Sequence, residues 1–312
     1  DERCVLCSRC VRFSKEIVDD DVLGFVDRGS HSVLTVHPDR KLRNNYSLNT
    51  VDICPVGALT SNDFRFKMRV WFMRETKSVC NGCARGCNIL IGSREDKIYR
   101  QTPRENNKVN SAWMCDSGRM EYHKLEHPGR LTDPMIKRGR KHHTVDWTDA
   151  VCRVARDLTK FKGEQFAIIA SGRMTNEELY LTRTLAESLE AGIVDIVKRI
   201  GKGDDYLAHS DKNPNVNGVR KILKVRSPGS KLKTIRAKVA KGEIKALLVL
   251  GENILNCGFR EEDLAGLECL VTLHTKANPT AKIANVVLPG AGYAEKRGSM
   301  INATGRLQRL NK

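Results

Sequence analysis

From residue 146 onward, apolar positions recur in two alternating rhythms. Trp147, Ala150, Val151, Val154, Leu158 and Phe161 fall at helical spacing, and Asp146 just ahead of them predicts an N-cap. The apolar run 166–170 predicts a short buried strand, turned by Ser171 and Gly172. Thr175 and Glu178 form a capping box, because each side chain can satisfy an orphan N–H of the first helical turn. The helix it opens is predicted to reach Ala191 and close at Gly192. The run 193–197 predicts the next strand. A strand, a helix and a strand in this order make a βαβ unit, so a parallel sheet is expected. A polar, irregular stretch over 201–230 follows. A helix over about 232–241 then precedes strands over 246–250, 269–273 and 285–288. The turns Ser171-Gly172-Arg173 and Gly251-Glu252-Asn253 sit just after strands, where open α/β sheets place phosphate ligands. Each reads equally well as a plain strand-to-helix turn.

Before residue 146 the pattern is shorter and more broken. Alternation predicts strands over 22–26 and 32–36, with His31 and His37 as ordinary loop or strand residues. Residues 64–79 form a partly alternating connector. Runs over 88–92 and 97–100 flank a polar turn at 93–96 and predict a hairpin. A polar loop over 102–110 leads to Trp113, and a linker over 125–140 is rich in Pro, Gly and basic residues. The expected class is α/β in three parts: a ferredoxin-like segment over 1–72, a small β-rich module over 73–130, and an α/β domain with a parallel sheet over 131–312.

Composition narrows the function. The 312 residues suffice for two or three domains. Hydrophobic residues make up 40%, and the longest apolar runs are far too short to span a bilayer, so a soluble chain without a signal peptide is expected. Residue 1 is Asp and a motif begins at once, so the sequence reads as an internal piece of a longer protein. The net charge of +17 points to acidic partner subunits or anionic lipid headgroups. Nucleic acid is not the expected partner: aromatics are 5%, no nucleic-acid motif is present, and the lysines are spread rather than striped.

The chemistry lies in eleven cysteines. Cys4, Cys7 and Cys10 form C-x2-C-x2-C, and Cys54 follows at a distance in Cys54-Pro55. Three thiols so spaced cannot converge from a strand or a regular helix, but from a tight irregular loop they reach three corners of a cube. A remote Cys-Pro can supply the fourth, which is the ligand pattern of a [4Fe–4S] cluster. Cys80, Cys83 and Cys87, in C-x2-C-x3-C, with Cys115, form a second set among Gly82, Gly86 and Gly118. Glycine permits the backbone to approach a buried cluster closely, and N–H groups can then reach the sulfurs. A four-cysteine zinc site is the alternative for either set. Ser14 stands where a two-cluster ferredoxin places its next cysteine, so the first segment serves one cluster. Cys152, Cys257 and Cys269 are left over, on an apolar helix face, a loop and a strand, and read mainly as buried inert thiols. Arg9, Arg12 and Lys15 adjoin the first set, where positive charge would favour the reduced cluster. No G-x-G-x-x-G opens a βαβ unit, so no dinucleotide site of that type is expected.

The segment Cys4 to Phe13, together with Asp52-Ile53-Cys54-Pro55-Val56-Gly57-Ala58-Leu59-Thr60, resembles the family of large iron–sulfur subunits of bacterial respiratory complex I. The module from Cys80 to Cys115 and the tail over 284–302 are similar to the molybdopterin oxidoreductases. This resemblance implies an electron relay in the peripheral arm of NADH-quinone oxidoreductase. The Cys4, Cys7, Cys10 and Cys54 cluster would lie on the main path from flavin to quinone. The Cys80, Cys83, Cys87 and Cys115 cluster would match one kept only by some members, off that path and structural or vestigial. It further implies two [4Fe–4S] clusters, no flavin and no molybdopterin on this chain. The partners implied are the flavin- and NADH-binding subunit and the quinone-proximal iron–sulfur subunits, at the cytoplasmic face of the bacterial inner membrane. A [2Fe–2S] cluster and a one-histidine, three-cysteine cluster would belong to a part upstream of residue 1. The molybdopterin-like region would be shortened and degenerate. The rival readings are a subunit of an NAD-linked formate dehydrogenase-like molybdenum enzyme and a zinc-stabilised interaction protein.

Overall fold

The structure, a computed structural model, describes residues 3–126 and 128–312. The chain divides into two units, one ending at Tyr122 and joined by Lys202–His209, the other formed by His123–Gly201 and Ser210–Lys312.

In the first unit the helix Arg9–Arg12 runs directly into a wider turn, Phe13–Ile17. The strands Leu23–Val26 and Val33–Val36 pair antiparallel, as the alternation predicts. A second sheet orders Arg74–Val79, Asn88–Arg94 and Lys97–Pro103 in one antiparallel meander. Glu95 and Asp96 both take positive φ, 50° and 59°, the geometry of a two-residue hairpin turn. The strands therefore run further into the expected 93–96 turn than the sequence suggests. Arg74–Val79 falls where the sequence predicts only a connector. It is an edge strand whose first half is mostly exposed, so hydrophobicity does not mark it. The preceding stretch is a 3-10 turn, Val70–Phe72, with Trp71 and Phe72 exposed.

The second unit is built on a seven-stranded sheet. Five of its strands, Gly163–Ala170, Ala191–Ile196, Ala246–Leu250, Cys269–His274 and Val286–Pro289, are parallel, with Ala191–Ile196 at the edge. Across the sheet the order is Val286–Pro289, Cys269–His274, Ala246–Leu250, Gly163–Ala170, Ala191–Ile196. Alternate residues feed two cores. Ala167, Ile169, Leu247, Val249, Leu270 and Val287 pack on one face with Ile235, Val239 and Leu264 from the helices Leu232–Ala240 and Glu261–Ala265. Phe166, Ile168, Leu248 and Val271 pack on the other with Leu158 and Ala186. Both faces are thus covered, which is why these strands read as continuous apolar runs. Truncating a wholly buried side chain such as Leu247 to Ala costs about 2–5 kcal/mol.

The helices Trp147–Leu158 and Asn176–Ser188 start as predicted. The Asp146 carboxylate accepts from Asp149 N–H, and the Thr175–Glu178 capping box is complete. Gly192 is not a helix cap. It lies inside the strand Ala191–Ile196, where a Cβ would come within 2.4 Å of the Gly163 carbonyl oxygen. The linker over 125–140 is not wholly irregular. Met135–Arg138 and Lys141–Thr144 turn through Gly139, at φ 60°, and add an antiparallel edge beside Val286–Pro289. A helix, Val216–Lys221, lies within the stretch read as irregular, and a hairpin joins Gly298–Ile301 to Leu307–Leu310. Among the described residues no helix is long and apolar enough to cross a membrane.

Candidate metal centres

Cys4, Cys7, Cys10 and Cys54 line one small cavity, walled also by Arg9, Phe25, Leu34 and Leu59. The loop that carries the first three is tight. Leu6 and Ser8 adopt positive φ, 53° and 58°, and Ser8 then starts the helix that bears Cys10. Cys54 arrives from the other side. The helix Asn49–Ile53 ends at Cys54, which is extended (φ −72°, ψ 110°) because Pro55 disfavours a helical residue before it. Gly57 at φ 61° folds the chain back, and Ala58 N–H reaches Cys54 Sγ at 3.2 Å. Burial would raise the Cys54 thiol, but backbone N–H groups of Leu59, Val56, Ala58 and Gly57 outweigh it and hold the thiol below its ordinary value. Burial pushes Cys10 up, and nearby Cys4 and Cys7 add to it. Cys7 is exposed and the other three are half-buried.

The second set is closed in. Cys80, Cys83, Cys87 and Cys115 are all buried. Cys80 follows the strand Arg74–Val79 and Cys87 precedes Asn88–Arg94, and the Cys80 N–H to Cys87 carbonyl bond (2.8 Å) closes the loop between them. Gly86 makes that loop possible at φ 66°. Cys115 caps the helix Asp116–Arg119, its sulfur accepting from Gly118 N–H and the Ser117 hydroxyl, each at 3.4 Å. Gly82 N–H reaches Cys80 Sγ at 3.4 Å. A Cβ on Gly118 would stand 3.1 Å from both Cys115 Sγ and Cys80 Sγ, so only glycine leaves the space between these thiols open. Burial pushes Cys80 and Cys87 well up, and the thiols around each push further. Such a group ionises only against positive charge, which a cationic iron core held there would supply.

A polar frame holds Cys115. The Asn45 carbonyl accepts from Asp116 N–H (2.6 Å) and its side chain from Ser117 N–H (2.9 Å). Asn49, wholly buried, exchanges bonds with both the N–H and the carbonyl of Met114. Arg119 pairs with Asp52 at 2.6 Å, two residues before Cys54. The stretch from Asn45 to Cys54 therefore positions ligands of both sets. Lys202–His209 joins the frame: Tyr46 Oη donates to Asp204 Oδ2 (2.6 Å), and Arg85 Nε donates to the Leu207 carbonyl (3.0 Å). Sequence reasoning missed this clasp. Asp204, accepting from the N–H groups of Tyr206, Leu207 and Ala208, could have marked a turn, though not its partner.

Other expectations need correction. Cys152 is exposed on its helix rather than on an apolar face, whereas Cys269 is buried in its strand as expected. Cys257 is half-buried, with its sulfur against the Asn253 carbonyl. Of the three cations near the first set only Arg9 lines the cavity. Arg12 pairs with Glu16 and Lys15 with Asp21, both on the surface. Ser14 is buried and donates to the Asp20 carbonyl, a structural role.

The residues fit iron–sulfur clusters in their chemistry: four thiols per set, N–H groups aimed at sulfur, and glycine where a side chain would intrude. Among the described residues no three His, Cys, Asp or Glu side chains gather around a single point as one metal ion requires.

Comparison with known proteins agrees. The profile of the NADH-quinone oxidoreductase subunit 3 ferredoxin-like domain matches residues 1–60. That of the molybdopterin oxidoreductase Fe4S4 domain matches 73–127, which supports binding of a [4Fe–4S] cluster. That of molybdopterin oxidoreductase matches 130–207 and 216–312. The G subunit of NADH-quinone oxidoreductase from Rickettsia felis is 30% identical over 319 residues, covering 96% of this chain and 46% of the relative. Its counterpart from Rickettsia conorii is 35% identical over 187 residues, covering 60% and 28%. The chain thus spans less than half the length of these relatives. Among solved structures, acetylene hydratase from Pelobacter acetylenicus aligns with a TM-score of 0.34 at 16% identity, over 68% of this chain and 29% of that one. This chain belongs to the molybdopterin oxidoreductase family and is similar within it to the G subunits of NADH-quinone oxidoreductase.

Proposed function

We propose that the chain is an electron relay of an NADH-quinone oxidoreductase, holding two [4Fe–4S] clusters. Cys4, Cys7, Cys10 and Cys54 hold the first, and Cys80, Cys83, Cys87 and Cys115 the second. The observation that carries this reading is the grouping of eight cysteines into two sets of four, each with N–H groups directed at sulfur. A bound cluster accepts and passes on single electrons. The protein's part is to fix each cluster, to limit water and to tune its potential through N–H to sulfur bonds and nearby charge. The first cluster serves the path from NADH and flavin toward quinone, and the second lies off it. The proposed partners are the flavin- and NADH-binding subunit and the quinone-proximal iron–sulfur subunits. The proposed location is peripheral, at the cytoplasmic face of the bacterial inner membrane. The proposed division is a ferredoxin-like segment over 1–72, a cluster module over 73–130 and a molybdopterin-like domain over 131–312.

The third part carries no molybdopterin in this reading. Its half-buried thiol, Cys257, is a poor candidate ligand for molybdenum: burial raises it, Glu252 adds to the rise, and its sulfur faces a carbonyl. Iron, zinc and molybdenum analysis of anaerobically purified protein tests all of this together. About eight irons per chain, with neither zinc nor molybdenum, are expected for two cubane clusters. Stoichiometric molybdenum would instead establish a formate dehydrogenase-like enzyme, and zinc in place of iron would end the electron-transfer account.

A further inference from the structure

The topology of the second unit marks one crevice. The chain leaves Gly163–Ala170 for Ala191–Ile196 on one side, then returns past it to Ala246–Leu250 and continues the other way to Cys269–His274. Neighbouring strands whose connections part in opposite directions leave a crevice at their carboxyl ends, the usual ligand position in open α/β sheets. Here those ends are Ser171-Gly172-Arg173 and Gly251-Glu252-Asn253.

The crevice is not vacant polar space. Glu252 sits in it with no exposed surface, and its carboxylate is held by the fork of Arg199, Nε at 3.4 Å from Oε1 and a closer contact from the terminal nitrogen to Oε2. Burial, first, pushes the Glu252 carboxyl up, and Arg199, Ser171 and Arg173 around it pull the other way. The cations Arg199 and Arg173, with Lys276, also bear on His274, where burial, first, and these charges lower the imidazole's basicity. The chain seals the opening as well. Asn215 N–H donates to the Gly172 carbonyl at 3.0 Å, and Asn213 packs so tightly on Gly172 that a Cβ there would meet it at 2.5 Å. A buried carboxylate is stable only when paired in this way. The same cations and hydroxyl are what a phosphate group would need.

We propose that Glu252 is an internal anion that occupies the phosphate position of this crevice and closes the unit to molybdopterin, a phosphate ester. The proposal deepens the reading that the unit carries no such cofactor and rests on it. Removing the carboxylate vacates the space that it fills beside Arg199 and Ser171. Glu252→Ala, made in the full chain, should then bind inorganic pyrophosphate saturably and at least about tenfold more tightly than the parent protein in a calorimetric titration. Pyrophosphate should also raise its melting temperature and leave that of the parent unchanged. Adding Arg199→Ala should abolish the gain. A parent protein that already binds pyrophosphate as tightly, or a folded Glu252→Ala protein that gains no binding, would overturn the proposal. If Glu252→Ala does not fold, Glu252→Ser also vacates the carboxylate position while keeping a polar group beside Arg199, and the same titration decides. The parent's melting curve with pyrophosphate is a test that needs no variant, since protection there also overturns the proposal. Molybdenum and pterin content separates the two failures. Pterin in the native protein removes the underlying reading, whereas no pterin and no gain in the variant removes only the role of Glu252.

Discussion

The two cysteine sets use the same donor chemistry in opposite surroundings. The first is shallow: Cys7 is exposed, and the apolar residues Val5, Leu6 and Val56 on its rim are 61%, 40% and 38% exposed. The second is sunk among a β-meander, a capped helix and a clasp from distant sequence, with all four thiols buried. An exposed apolar rim is a surface that other protein can cover, so the first set is arranged for exchange and the second for retention. Potential should follow the same division. Adding an electron makes a cluster more negative, and a site remote from water resists that charge. The second cluster is therefore expected to titrate at the lower potential.

The largest test removes one ligand from each. Cys115→Ser should delete the second cluster and leave three buried thiols, while the serine hydroxyl still caps the helix Asp116–Arg119. Loss of about four irons and a fall in melting temperature of roughly 10 °C or more are expected, since a structural metal contributes folding energy. Cys7→Ser should lose a similar amount of iron with a much smaller thermal change. Equal thermal losses, measured by calorimetry under anaerobic conditions, would erase the distinction between shallow and buried sets. Chelator added to the intact protein should likewise remove iron in two phases, the first cluster leaving first.

Next in size is Asn49→Ala. It strands the N–H and carbonyl of Met114 and should cost about 2–4 kcal/mol in denaturant unfolding. Its mark should fall on the electron paramagnetic resonance signal of the second cluster. Gly118→Ala, whose methyl would press on two sulfurs at 3.1 Å, should cost about 1–3 kcal/mol and distort that signal selectively. A change confined to the first cluster in either variant would place the frame on the wrong set. Tyr46→Phe deletes the donor to Asp204, at about 1–2 kcal/mol. Proteolysis should then cut faster within 202–209 and nowhere else.

The sequence showed these sites unequally. Both groups of four cysteines stood in the cysteine spacing, whereas the extended Cys54 that Pro55 imposes appears only in the structure. The parallel strands were legible because both of their faces are buried, which leaves runs such as Ala246–Leu250 with no polar residue. What supports the second set was not legible. Asn45, Asn49 and Asp204 act through single bonds to segments far away in the chain, and no periodicity encodes a partner at such distance. Arg74–Val79 and Met135–Arg138 escaped for another reason: as edge or edge-adjoining strands with polar, partly exposed residues, they lack the apolar run that marks a central strand. Gly192 looked like a helix cap because a helix end and a close strand approach both select glycine.

The smallest effect bears on which charge the shallow cluster feels. Arg9 lines the first cavity, whereas Arg12 is drawn to Glu16 on the surface. Proximity in sequence suggested that Arg12 would tune this cluster, but its charge is already paired and lies in water, where screening is strong. Arg9→Glu places a negative charge against the site and should lower the first potential by tens of millivolts, on the order expected for a nearby charge in a partly hydrated setting. The second cluster, held by four buried thiols, should hold its potential, and Arg12→Glu should leave both nearly unchanged. A redox titration in which Arg12→Glu moves the first potential as far as Arg9→Glu does would show that the field at the shallow cluster comes from its whole basic rim, and exposure alone would no longer explain how the two clusters differ.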